Sequence, residues 1–240
     1  HSDDFNEVQS TSWALTNLVR GSTIDKKKEK EALVPLMKVV VNFDDAEMLT
    51  NCLAALCDIM SSDYIDLLIQ AGLPRRLYII ASRGVTNHLY SICQILSHIS
   101  FGSAQQTDVI IQEGFLEILF NILKSSVYTA QFKKEVLWTI SNITIGEIDH
   151  IHAVLSNEDR LVTLMTLCRH DNRAVRKEAI WSVCNVTSKG RTQEKEMLLR
   201  NGVLQMFSFN LQMDSDVVVI YYPGSPQKPT ESRGPRVELQ

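Results

Sequence analysis

One segment returns five times along this chain, and that return constrains the fold more than any other feature. SWALTNL, LWTISNI and IWSVCNV carry Trp13 with Asn17, Trp138 with Asn142, and Trp181 with Asn185, each in a W-x-x-x-N spacing. AALCDI and QILSHI, around Ala54 and Gln94, are degenerate copies. The Trp position falls at residues 13, 54, 94, 138 and 181, in steps of 41, 40, 44 and 43. A period of this length marks a helical solenoid, in which each unit buries its apolar face only against its neighbours. Such a stack works through an extended surface, which favours binding over catalysis.

The register separates buried positions from displayed ones. Two residues after the Trp position stand Leu15, Leu56, Leu96, Ile140 and Val183; five after it stand Leu18, Ile59, Ile99, Ile143 and Val186. At about 100° per residue these two rows share one helix face, whereas the Trp position and the one four residues later lie roughly opposite. A lone Trp in a helix is ordinarily a core residue. Here Ala54 and Gln94 replace it while the aliphatic rows never break, so the Trp row is expected on an open groove. The row four residues on (Asn17, Asp58, His98, Asn142, Asn185) is polar throughout and is expected on that same open face. The row between them is small (Thr16, Cys57, Ser97, Ser141, Cys184), as close helix packing requires.

Ahead of each long signature helix, two shorter amphipathic runs are expected. DYIDLLIQAG, TDVIIQEG and KEMLLRNG end at Gly72, Gly114 and Gly202, where the left-handed backbone that terminates a helix is open to glycine, with Asn157 in the matching place of HAVLSNED. The second runs are LPRRLYIIAS, FLEILFNILKSS, RLVTLMTLC and VLQMFSFNL. Short, medium and long helices in turn predict an all-α, right-handed superhelical solenoid of three-helix armadillo repeats. Residues 1–220 hold a partial first repeat, about four full ones and the start of another. Residues 221–240 (YYPGSPQKPTESRGPRVELQ), with four prolines and no periodicity, are expected to be a disordered tail.

Composition closes off several functions. A formal net charge of −4 is too mild and of the wrong sign to hold nucleic acid by overall basicity. No apolar run reaches the roughly 20 residues of a membrane span, so no membrane partner is expected. The five cysteines are scattered, one or two per repeat, at packed helix positions and read as reduced core residues, with no Cys-x-x-Cys. No phosphate loop, metal-ligand cluster or cofactor pattern is present, so no cofactor is expected and an enzyme is the least supported class. His150 and His152 are two apart and cannot share a helix face, so they read as solvated or capping residues. DKKKEKE at 25–31 reads as a solvated loop and first helical turn, and Arg75 and Arg76 as surface residues. The N-I-T and N-V-T triplets at Asn142 and Asn185 lie inside helices and read as chance glycosylation matches.

KKEVLWTISNITIG and VRKEAIWSVCNVTSKG resemble the seventh and eighth armadillo repeats of importin alpha, the nuclear-import adaptor, and STSWALTNLVRG resembles the third helix of its fourth repeat. The similarity runs from about residue 7 to residue 213. The resemblance implies binding of Lys/Arg-rich nuclear localisation signal peptides along a concave groove, with the chain moving between cytoplasm and nucleus. It implies Trp rings that hold Lys and Arg stems, Asn amides that hold the peptide backbone, and acidic rim residues. By it, Trp138, Ser141, Asn142, Glu178, Trp181 and Asn185 match the minor site, and Trp13, Asn17 and Glu47 match the end of the major site. Importin beta is a partner in that family, through a basic N-terminal segment that these residues do not include. Asn51, Asp58, His98 and Ala104 depart from the family pattern. Two other readings stay open: an armadillo scaffold for a different extended partner, and a truncated copy without transport activity of its own.

Overall fold

The computed structural model describes residues 2–21 and 26–213. It begins with α1 (Ser2–Gly21), followed by α2 (Lys26–Asn42) and α3 (Ala46–Ile59). The next unit is α4 (Ile65–Gln70), entered through a 3-10 turn, with α5 (Leu73–Ala81) and α6 (Thr86–Ser100). Two further units follow: α7 (Ala104–Gln112), α8 (Phe115–Lys124) and α9 (Ala130–Ile145), then α10 (Ile148–Leu155), α11 (Glu158–Leu167) and α12 (Arg173–Lys189). The described residues close with α13 (Thr192–Arg200) and α14 (Val203–Met213). They contain no strand, so the all-α three-helix solenoid is what the chain forms. The expected tail at 221–240 and the start of a further repeat at 214–220 lie outside the described residues.

Each helix starts and stops where local chemistry directs. Asp45 accepts the Met48 N–H at 2.8 Å and Thr129 accepts that of Phe132 at 3.2 Å, which opens α3 and α9. Asn172 accepts from Ala174 and Val175 at the start of α12. Gly72, Gly114 and Gly202 adopt φ of 76°, 88° and 80° between first and second helices, as their spacing predicts. Asn157 does not: at φ −115° it is extended, and its side chain caps α11 by accepting the Asp159 N–H. Helix α2 also departs from the three-helix pattern, running as one helix through Pro35. Pro35 leaves the carbonyl of Glu31 without its helical donor, and both residues lie on the solvent side, where water can satisfy it.

The long helices α1, α3, α6, α9 and α12 pack in series into one layer, and behind them the shorter helices stack as α4 on α7 on α10 and α8 on α11. The apolar rows of the signature helices are buried from Leu56 through Val186. Each buried aliphatic side chain contributes about 1.5–3 kcal/mol. Leu18 is the exception: it is exposed, because no described helix packs on that side of α1. Polar links between repeats join residues one period apart, from 32 positions (Arg76 to Asp44) to 46 (Thr139 to the Cys93 carbonyl).

One surface expectation changes here, and one is met: His150 caps the start of α10. Arg76 is largely covered and donates to the Val40 carbonyl at 2.8 Å, the Phe43 carbonyl at 2.7 Å and Asp44 at 2.6 Å, closing the C-terminus of α2 from the next repeat. The guanidinium groups of Arg76 and Arg83 hold the Asp44 carboxyl below its ordinary range. The His150–His152 pair takes opposite directions. His150 Nδ1 accepts the Glu147 N–H at 3.1 Å, so its Nε2 carries the proton and donates back to Asp108 at 3.0 Å. His152 Nδ1 meets Glu194 of the following repeat at 3.0 Å.

Candidate functional site: a Trp-lined groove on the third-helix layer

Helix α1 projects Trp13 away from its buried row, and 59% of its surface is exposed. Beside it Gln9, Ser10, Ser12 and Ala14 of α1 face Glu47, Met48 and Asn51 of α3 across a cavity of about 430 Å³. Glu47 lies exposed in the first turn of α3, so one acidic group stands within an indole-walled recess. Asn17, one turn beyond Trp13, is exposed as well. These are the dimensions and chemistry of a slot for a long side chain with an apolar stem and a cationic head.

The other two signature pairs sit differently. Trp138 on α9 and Trp181 on α12 are half-buried. Asn142 and Asn185 are only 7% and 3% exposed, contrary to the open display expected of them. Asn142 Nδ2 donates to Ser100 Oγ of the preceding repeat at 3.3 Å. Asn185 Nδ2 donates to the Ser141 carbonyl at 2.9 Å and to Thr144 Oγ1 at 3.1 Å, which uses both of its protons. Ser141 is buried too, and its hydroxyl donates to the Trp138 carbonyl at 2.9 Å. Glu178, on α12, is buried rather than standing on a rim. Asn142 and Asn185 each reach across to the preceding long helix, and a buried polar group there must be bonded to protein.

Between the two ends the groove carries Ala54, Asp58, Gln94 and His98 in place of Trp–Asn pairs. Asp58 is ion-paired with Arg20 at 3.4 Å, both about half exposed. Glu135 is a residue that the signature spacing offered and the site reading left aside: it stands three before Trp138, as Glu178 stands three before Trp181. Its carboxyl is held above the ordinary range by burial first, with the nearby Glu178 adding to the effect and Lys134 opposing it. Gln131 Nε2 donates to it at 3.0 Å. Gln9, Ser10 and Met48, which line the recess around Trp13, had no signal beyond their helix face. All five cysteines are outside disulfides, and burial pushes the Cys52 and Cys184 thiols up to about 11. No cluster of three metal-ligating side chains occurs among the described residues, and none of the described helices is long and apolar enough to cross a membrane.

No family model matches the chain. Importin subunit alpha-1a of Oryza sativa subsp. japonica is 29% identical over 151 residues, covering 62% of this chain and 28% of that protein. Importin subunit alpha-8 of Arabidopsis thaliana is 27% identical over 216 residues, covering 89% of this chain and 48% of that protein. The chain thus spans less than half the length of these curated relatives. Among solved structures, a designed armadillo repeat protein in complex with peptide (KR)4 superposes with a TM-score of 0.75 at 25% identity, over 88% of each chain. A computationally designed armadillo repeat protein for modular peptide recognition gives 0.77 at 23% identity, over 88% of this chain and 89% of that one. By fold and by these likenesses, the chain is an importin-alpha-like armadillo-repeat protein.

Proposed function

We propose that this chain binds Lys/Arg-rich peptides along its third-helix layer and serves as an importin-alpha-like adaptor for nuclear localisation signals, working between cytoplasm and nucleus. The observation that carries the reading is the exposed Trp13 over a recess that also holds Glu47 and Asn51. An aliphatic Lys or Arg stem lies flat against the indole, its cation held by the ring face for about 0.5–2 kcal/mol, with Glu47 supplying the opposite charge. Third helices of adjacent repeats stand about 8–10 Å apart, so an extended peptide at about 3.3 Å per residue offers one side chain in three to each repeat. The likeness to a designed armadillo protein holding (KR)4 supports the same ligand chemistry. Asn142 and Asn185 are engaged with the protein itself, so the weight of recognition falls on the Trp faces and carboxylates rather than on their amides.

Fluorescence anisotropy with a labelled Lys/Arg-rich peptide and its Lys→Ala control tests this directly. The basic peptide should bind selectively, and more weakly as salt rises, since exposed charge pairs are screened. Trp13→Ala should weaken binding about tenfold, the loss of one stacked cation, whereas Gln94→Ala should leave it within about twofold. Equal binding of both peptides by a folded chain would remove the basic-peptide reading and favour another extended partner.

A further inference from the structure

The groove face of α3 carries a carboxylate at each end. Glu47, Asn51, Ala54 and Asp58 are spaced four, three and four residues apart, which lines them up along one stripe of the helix. Glu47 and Asp58 are both exposed, and about 16 Å of helix axis separates them at about 1.5 Å per residue. Between them Ala54 stands in the Trp position, so no ring of α3 covers the approach to Asp58. On α1 the matching stripe is Trp13, Asn17 and Arg20, again four and three apart and all exposed. Arg20 Nε meets Asp58 Oδ2 at 3.4 Å across the repeat boundary, with 52% and 47% of the two side chains exposed. Arg76 makes the contrast: 14% of its side chain is exposed, and it donates to two carbonyls as well as to Asp44. Arg76 closes a helix end, whereas Arg20 lies over a groove carboxylate that solvent reaches. An ion pair so exposed holds little net stability and exchanges readily with another cation.

We infer that Arg20 is an intramolecular stand-in for a peptide cation: it neutralises Asp58 in the free chain and yields it to a Lys or Arg of a bound basic peptide. On the basic-peptide reading, on which this rests, Asp58 is a second cation point beside the Trp13 recess. Successive side chains of an extended peptide point to opposite sides. A basic residue entering the recess beside Glu47 therefore directs the next one toward the other end of α3, where Asp58 stands. The exchange also sets specificity. A neutral side chain offers Asp58 nothing in place of Arg20, so adjacent basic residues are favoured over a single one.

Peptide titration by fluorescence anisotropy tests the exchange, using a labelled Lys/Arg-rich peptide and circular dichroism to show that each variant is folded. Arg20→Gln should tighten binding about threefold and Asp58→Asn should weaken it about fivefold, the scale of one exposed ion pair. Within the Asp58→Asn chain, Arg20→Gln should change affinity by less than about 1.5-fold, because no carboxylate is left to contest. No tightening by Arg20→Gln, or equal tightening in both backgrounds, overturns the inference, since Arg20 would then act only through its general charge or not at all. Weaker binding by Arg20→Gln overturns it too, by making Arg20 itself a peptide contact. Each of those results leaves the basic-peptide reading standing if binding stays selective. Absence of selective binding by both the unaltered chain and Arg20→Gln removes that reading and the inference with it.

Discussion

Trp13 with Asn17 and Trp181 with Asn185 carry the same five-residue signature, yet the fold puts them to different uses. At the N-terminal end both side chains are open, and Trp13 walls a recess with Glu47. At the C-terminal end Trp181 is half-buried, and Asn185 bonds α12 to α9 through Ser141 and Thr144. The difference comes from what lies one period earlier in the chain. Asn185 has α9 against it and Asn142 has α6, and each amide reaches across to that neighbour. Among the described residues no long helix stands on that side of α1. A displayed amide and a stitched one are thus the same residue in two packing contexts.

Substitutions can break this contrast, and the largest effect is expected at Asn185. Asn185→Ala removes two inter-repeat hydrogen bonds in a buried setting and should cost about 2 kcal/mol, whereas Asn17→Ala on the open face should stay within about 0.5 kcal/mol. Urea unfolding midpoints compare the two, and equal shifts would mean that the α12 amide is no staple. The tryptophans should split along the same line. Trp181→Ala gives up packing as well as a groove wall and should lower stability by about 1–2 kcal/mol, while Trp13→Ala should act on peptide affinity and move stability by less than about 0.5 kcal/mol. Thermal melts beside peptide titrations resolve this, and a large stability loss at Trp13 would place it in the core after all.

The smallest effect is expected at Glu135, and it has the opposite sign. Its carboxyl titrates above the ordinary range, so the fold favours its protonated form. That contribution is complete below the ordinary carboxylate pKa and is lost as pH rises through the raised value. Glu135→Gln should therefore raise stability near neutral pH by less than about 1 kcal/mol, keeping the contact with Gln131, and flatten the dependence of stability on pH in the weakly acidic range. The same variant should weaken a basic peptide if Glu135 contributes to the groove. A variant that is less stable at neutral pH would mean that the ionised carboxylate has a partner worth more than its burial costs.

Much of the fold was legible because solenoid packing is local in period. The aliphatic rows from Leu56 to Val186 declared their burial by recurrence, and Gly72, Gly114 and Gly202 declared their left-handed backbone because other residues resist it. Where a second residue type can do the same job by another route, pattern alone misled. Asn157 occupies the glycine's place but uses its side chain as a cap from an extended backbone. Arg76 looked like a surface residue because nothing near it in sequence shows that the end of α2 lies within its reach.

Periodicity specifies the repeat and its helical register, since both follow from which positions are apolar in every copy. Which copies of the signature remain open to solvent depends on the packing of helices far apart in the chain. Hydrogen-bond satisfaction of a buried amide depends on a carbonyl or hydroxyl some 42 positions away, as with Asn142 and Ser100, and no local pattern encodes whether that partner is within reach. Burial of Leu18 turns on the same fact: an apolar stripe states what it needs, and the presence of a neighbouring helix settles whether it is met.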